Sequence, residues 1–124
     1  MTESTMEAKF NVIDPIKYYK DILDREHNEG LLHFISFDIA NELSNDPKYA
    51  NALLNYPYYN IRAIYASVTK NIEHQKILFN DADWRVRVGL ATNKNLINDI
   101  FEKLKSDKNI QITSIINARS DKPI

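Results

Sequence analysis

A chain of 124 residues, 44% apolar and 27% charged, has enough apolar side chains to build one core, so a single domain over 1–124 is expected. The absence of cysteine excludes a disulfide scaffold, thiolate metal clusters and cysteine nucleophiles together. No apolar run approaches the roughly 20 residues that cross a bilayer, and the opening residues are too polar for a signal peptide, so a cytoplasmic chain without a membrane partner is expected.

Net charge is −1, yet Met1 to Asn55 holds 5 Lys/Arg against 10 Asp/Glu, and Tyr56 to Ile124 holds 11 against 7. An acidic end and a basic end would steer partners, although short chains also reach such splits by chance.

Along the chain, Asp14-Pro15 reads as an N-cap followed by proline in the first turn of a helix. Ile16, Tyr19, Ile22 and Leu23 then form one apolar stripe at helical spacing. Gly30 follows Glu26, His27, Asn28 and Glu29 and reads as a helix C-terminus in a left-handed turn. Leu32, Ile35, Ile39, Ala40 and Leu43 form a second stripe. Asp46-Pro47 opens another helix, and Tyr56-Pro57 is a break. Ile61, Ile64, Tyr65 and Val68 make a third stripe, and Ile97, Ile100, Phe101 and Leu104 a fourth. No alternating segment is bounded by Asn-Gly or Asp-Gly turns, which argues against a sheet. Ile110, Ile112, Ile115 and Ile116 are β-branched and ambiguous by propensity alone.

A repeat resolves that ambiguity. Tyr59-Asn60-Ile61-Arg62 aligns with Trp84-Arg85-Val86-Arg87 at an offset of 25, which also places Ala66 on Ala91 and Leu53-Leu54-Asn55 on Leu78-Phe79-Asn80. A further shift of 26 puts Asp81 on Asp107, Trp84 on Ile110, Val86 on Ile112 and Leu78 on Leu104. Backwards by 26, Ile61 lands on Ile35 and Ala66 on Ala40. A period of this length means stacked units, each unable to bury its apolar face alone. Ala66 and Ala91 are expected where neighbouring helices approach closely.

The run from Leu78 to Asn93, with Asp83-Trp84-Arg85-Val86-Arg87 at its centre, resembles the variant leucine-rich repeat, which is similar in appearance to HEAT-like helical repeats. The resemblance covers about residues 50–118. It implies a short right-handed stack of some seven or eight helices with a curved surface that binds a partner rather than performing chemistry. The expected organisation is an N-terminal helical cap over 1–45, about three repeats over 46–118 and a tail over 119–124. Departures are visible: the pairs usually written Asn-Pro are Asn93-Lys94 and Lys70-Asn71, and Thr113 stands where arginine is expected, so the last copy reads as a cap.

Candidate chemistry is sparse. His27, His33 and His74 lack a second histidine at metal-ligand spacing; His27 beside Asp24 and Glu29 is the one conceivable catalytic grouping, and a surface histidine is the plainer reading. With glycine only at 30 and 89, neither a phosphate-cradling loop nor a nucleophile elbow fits. No catalytic residue, metal or cofactor is therefore expected. Arg62 and Arg87, at one repeat position, are expected to bind acidic groups of the preceding turn such as Asp81 or Asp83, with Val86 in the core. Trp84, Arg85 and the cluster Tyr56, Tyr58 and Tyr59 are candidate partner-binding residues, because Trp, Tyr and Arg dominate binding energy at interfaces. Asp21, Asp24 and Glu29, within a wider set including Glu26, Asp38, Glu42 and Asp46, are candidates to face a basic protein surface; a solvated helix face is the plainer reading.

The expected function is non-enzymatic protein binding. Small stacks of this appearance resemble bacterial immunity proteins, which hold a cognate toxin inactive, and the Ile-, Asn- and Lys-rich composition is that of an AT-rich bacterial genome. The alternatives are a generic adaptor and a nucleic-acid binder using Arg62, Lys70, Arg85, Lys94 and other basic residues of the later repeats. The second is disfavoured by a half-chain excess of only +4 and a pI near 6.3.

Overall fold

Short polar side chains start most of the helices. In a computed structural model that describes residues 14–26 and 29–123, Asp14, Ser36, Asp46, Asn71, Asp83 and Asn109 each accept a backbone N–H at an N-cap. The helices are α1 (Pro15–Arg25), α2 (Phe37–Leu43), α3 (Pro47–Leu54), α4 (Tyr59–Val68), α5 (Ile72–Phe79), α6 (Trp84–Ala91), α7 (Asn98–Leu104) and α8 (Ile110–Ala118). Among the described residues there is no strand, so the chain is all-α. Among the described residues no helix is long and apolar enough to cross a membrane.

None exceeds 11 residues, so each depends on packing rather than on its own propensity. Consecutive helices pair as α1 with α2, α3 with α4, α5 with α6 and α7 with α8. Along one row α2 touches α4, α4 touches α6 and α6 touches α8; along the other α1 touches α3 and α5 touches α7. Between the rows lies one continuous core that includes Leu43, Leu53, Ile61, Tyr65, Leu78, Val86, Leu90, Ile100, Leu104, Ile112 and Ile116. Helices α4, α6 and α8 begin at 59, 84 and 110, and α3, α5 and α7 at 47, 72 and 98, so the spacings of 25 and 26 read from the sequence recur in the helix starts. The isoleucines after Asn109 are helical; Ile112 and Ile116 enter the core and Ile110 stays exposed.

Side chains repeat their bonds at the same spacing. The Arg62 guanidinium donates to both carboxylate oxygens of Asp81 (2.9 and 3.2 Å), and Arg87 does the same to Asp107 (2.8 and 3.3 Å). This corrects the expected direction: each arginine reaches forward to the next unit's carboxylate, while its own preceding turn supplies backbone carbonyls, Tyr56 and Pro57 for Arg62 and Asp81 for Arg87. Asp81 and Asp107 also accept the amides of Asp83 and Asn109, both at 2.9 Å. Thr113, at the third position of the series, donates back to the Ile110 carbonyl.

A second set of ties runs backwards. Asn93 donates to the carbonyls of Ala66 and Thr69, both at 2.8 Å, and one repeat later Arg119 donates to those of Ala91 (2.9 Å) and Asn93 (3.0 Å). Buried Gln75 adds bonds to Thr69 and Asn95 and accepts from the Ile97 amide. The carbonyls of Ala66 and Thr69 after α4, and of Ala91 and Asn93 after α6, are thus satisfied by later side chains.

Ala66 and Ala91 are fully buried, and Gly89 also allows a close helix approach: a Cβ there would lie 2.2 Å from the Ala63 carbonyl oxygen. The most extensive helix–helix contact, α4 against α6, depends on that glycine.

The N-terminal part departs from the reading more. The stripe from Leu32 to Leu43 is helical only from Phe37 onward; Leu32 and Ile35 are buried in irregular chain, where the Leu32 amide donates to the Tyr56 hydroxyl and Ser36 caps the helix after them. Gly30 does sit at φ +74°, but α1 has already ended at Arg25, and the Glu26 carboxylate accepts the Gly30 and Leu31 amides. His27, Asn28 and the first 13 residues of the proposed N-terminal cap lie outside the described residues.

Candidate functional site

The first residues of successive helices in the α2–α8 row stand outward. Phe37 is 53% exposed, Tyr59 38%, Trp84 39% and Ile110 78%, although each is large and apolar. Helical periodicity explains this: Ile61, Val86 and Ile112, two residues further on, turn into the core, and the N1 position is left on the rim. Arg85 lies flat on Tyr59, with its guanidinium carbon 3.5 Å from the ring centroid, and holds Asp83 through two bonds of 3.0 Å. That contact keeps the Asp83 carboxyl below its ordinary value. Tyr59, Trp84 and Arg85 are therefore brought together on one exposed rim, while Arg87, one turn-side over, is spent on Asp107.

The other candidates fare differently. Tyr56 is 4% exposed, so its ring belongs to the core and its hydroxyl to Leu32; burial, helped by the neighbouring Glu26 carboxylate, pushes that hydroxyl far up. It is unavailable to a partner. Tyr58 is half-buried, stacked on His33 at 5.6 Å and edge-on to Tyr56 at 5.9 Å. Asp24 joins α1 to α3: it takes the Tyr49 hydroxyl at 3.0 Å and the Lys48 ammonium at 2.7 Å, and Lys48 holds its carboxyl below the ordinary value. Asp21 is exposed and paired with Lys17 one turn away; Glu29 is exposed. Of the wider acidic set, Glu26 closes its turn, Asp46 caps α3, and Asp38 lies in the first turn of α2. The acidic residues serve several local tasks; Asp21, Glu29, Asp38 and Glu42 are exposed, and of these Asp21 alone is ion-paired among the described residues.

Across α2, α4 and α6 runs a groove of about 710 Å³. Phe37, Ile64 and Val88 give it apolar walls, the small residues Ala63, Ser67 and Gly89 its depth, and Lys70, Arg85 and Lys94 its charge; no Asp or Glu lines it. The Ser67 hydroxyl donates to Ile64 and that of Thr92 to Gly89, so both are engaged by their own helices. Lys70 and Lys94 belong to the basic residues visible in the sequence. Phe37 and Gly89 were not among the sequence candidates: Phe37 lies outside the apolar stripe of Ile35, Ile39, Ala40 and Leu43, and a helix-interior glycine carries no signal of what approaches it.

A smaller hollow of about 290 Å³ between α1 and α3 is lined by residues including Glu26 and Tyr56; there Glu26 Oε2 is buried without a hydrogen-bond partner among the described residues. No group of three metal-ligating side chains occurs among the described residues. In comparisons with known proteins, no family model, no curated protein and no solved structure matches this chain.

Proposed function

We propose that this chain is a non-enzymatic protein-binding module, a short right-handed stack of two-helix units of the variant leucine-rich or HEAT-like kind. The observation that carries the reading is the groove across α2, α4 and α6, bordered by exposed Tyr59, Trp84 and Arg85. Exposed aromatic and arginine side chains beside an apolar hollow are what protein interfaces use as anchors. The engaged hydroxyls of Ser67 and Thr92 favour binding over nucleophilic chemistry there.

The narrower form of the proposal is a cytoplasmic bacterial immunity protein, in which covering the partner also inactivates it. A partner encoded in the adjacent reading frame, whose toxic activity falls when this chain is added, is the outcome specific to that form; an adaptor leaves the partner's activity unchanged.

The test is affinity capture from the native host at moderate salt, comparing the tagged chain with a W84A/R85A variant. A stoichiometric protein retained by the first and lost by the second is expected. Recovery of nucleic acid alone, or of no stoichiometric protein, would overturn the reading.

A further inference from the structure

Resting on the protein-binding reading above, we infer that the groove takes an acidic segment of its partner that carries apolar anchors: leucine- or phenylalanine-sized side chains against Phe37, Ile64 and Val88, and carboxylates against Lys70 and Lys94. Charge complementarity is the argument. The groove is lined by three cations and no carboxylate, so its field is positive, and apolar walls make that field less screened than on open surface.

The two lysines are also unspent. They follow the C-terminal ends of α4 and α6, where a lysine would ordinarily serve the last carbonyls. The carbonyls of Ala66, Thr69 and Ala91 there are already taken by Asn93, Gln75 and Arg119. Neither lysine has an ion-pair partner among the described residues. Asp121, the carboxylate that feels Lys94, is held by Arg119 through bonds of 3.2 and 3.1 Å. Arg85, by contrast, is already paired with Asp83 and stacked on Tyr59, so it shapes the groove more than it charges it.

A phosphate backbone fits less well. Of the basic residues that would grip one, Arg62 and Arg87 are buried against Asp81 and Asp107. The two free lysines and a paired arginine fall short of the several contacts that survive physiological salt, and apolar walls give phosphates nothing.

The probe is a short synthetic peptide of leucines separated by glutamates, titrated into the full chain with methyl NMR of Ile64 and Val88 as readout. We expect their resonances to move, and K70E/K94E, with its fold checked by circular dichroism, to weaken binding about tenfold, as loss of two exposed charge pairs implies. Four results would overturn the inference: no shift at these methyls, equal shifts from the same peptide with lysine for glutamate, equal shifts from a thymidine oligonucleotide, or concentration-dependent shifts without peptide, which would put a second copy in the groove. Separately, a host partner captured undiminished by K70E/K94E would sink this inference and leave protein binding standing, whereas failure of the unaltered chain to capture any protein would sink the reading beneath it.

Discussion

From α4 to α8 the helices are joined by Arg62–Asp81 and Arg87–Asp107, two pairs of the same geometry one repeat apart, with the carboxylates only 13% and 6% exposed. At the other end α1 meets α3 through Asp24, Lys48 and Tyr49 in partly open contact, and the irregular residues before α2 are held by the Tyr56 hydroxyl and the Glu26 carboxylate. The later units share one device because identical geometry recurs; the N-terminal region meets the same packing need with bonds that occur once. Buried pairs are costly to break and exposed ones are not, so the two regions should answer mutation differently.

The largest effect is expected at the core both devices serve. Val86 is fully buried between Arg85 and Arg87 in sequence. Val86→Asp should cost more than about 4 kcal/mol and leave the chain unfolded by circular dichroism. Next comes the repeated pair: Arg87→Ala strands Asp107 in the interior and should cost about 3 kcal/mol in urea denaturation. Gly89→Ala should follow. The added methyl meets backbone rather than a side chain that can swing away, and about 3 kcal/mol of overpacking outweighs the ~1 kcal/mol gained in helix propensity.

Acid separates the regions further. The Asp107 carboxyl would be pushed up by burial, but Arg87 and the Asn109 amide together hold it below its ordinary value. A carboxyl so lowered contributes stability that is present above about pH 4 and lost as pH falls through its folded value. At His74 burial lowers the imidazole's affinity for a proton, and Nδ1 faces the Tyr65 hydroxyl at 2.6 Å, itself held by Thr69. The unfolded chain therefore takes up that proton first, and stability should begin to fall as pH drops below about 6.5. His74→Gln should flatten the loss between about pH 7 and pH 5 in thermal melts while leaving the steeper acid limb. The smallest effects belong to Asp24→Asn and Arg85→Ala, whose own side chains are solvent-exposed; their melting temperatures should stay close to that of the unaltered chain. A large drop for Asp24→Asn would mean that the N-terminal seam is as tightly built as the later ones.

The difference between the regions also explains what the sequence made legible. Helix starts from Pro47 onward follow the register of Leu53, Ile61 and Arg62 on Leu78, Val86 and Arg87, because residues that repeat their bonds repeat their identities. The direction of the arginine pairs was not legible: Asp81 lies 19 residues after Arg62, and a sequence offers nearer carboxylates without saying which one the next unit brings close. Leu32 and Ile35 have helical spacing yet lie in irregular chain, where the Leu32 amide is bonded to the Tyr56 hydroxyl: tertiary context overrides periodicity. Of the residues that type alone offered to a partner, Tyr59, Trp84 and Arg85 are exposed, whereas burial claimed Tyr56 and an internal pair claimed Asp24. Exposure is a property of packing that residue type alone does not carry.

The central claim is that the α2–α4–α6 face, rather than the acidic residues of the N-terminal region, meets the partner. Quantitative affinity capture with the unaltered chain, K70E/K94E and a D21K/E29K variant, side by side, tests it most directly. The account predicts that the groove reversal loses most of the captured protein while the acidic reversal keeps it. Full capture by K70E/K94E together with loss by D21K/E29K would contradict it.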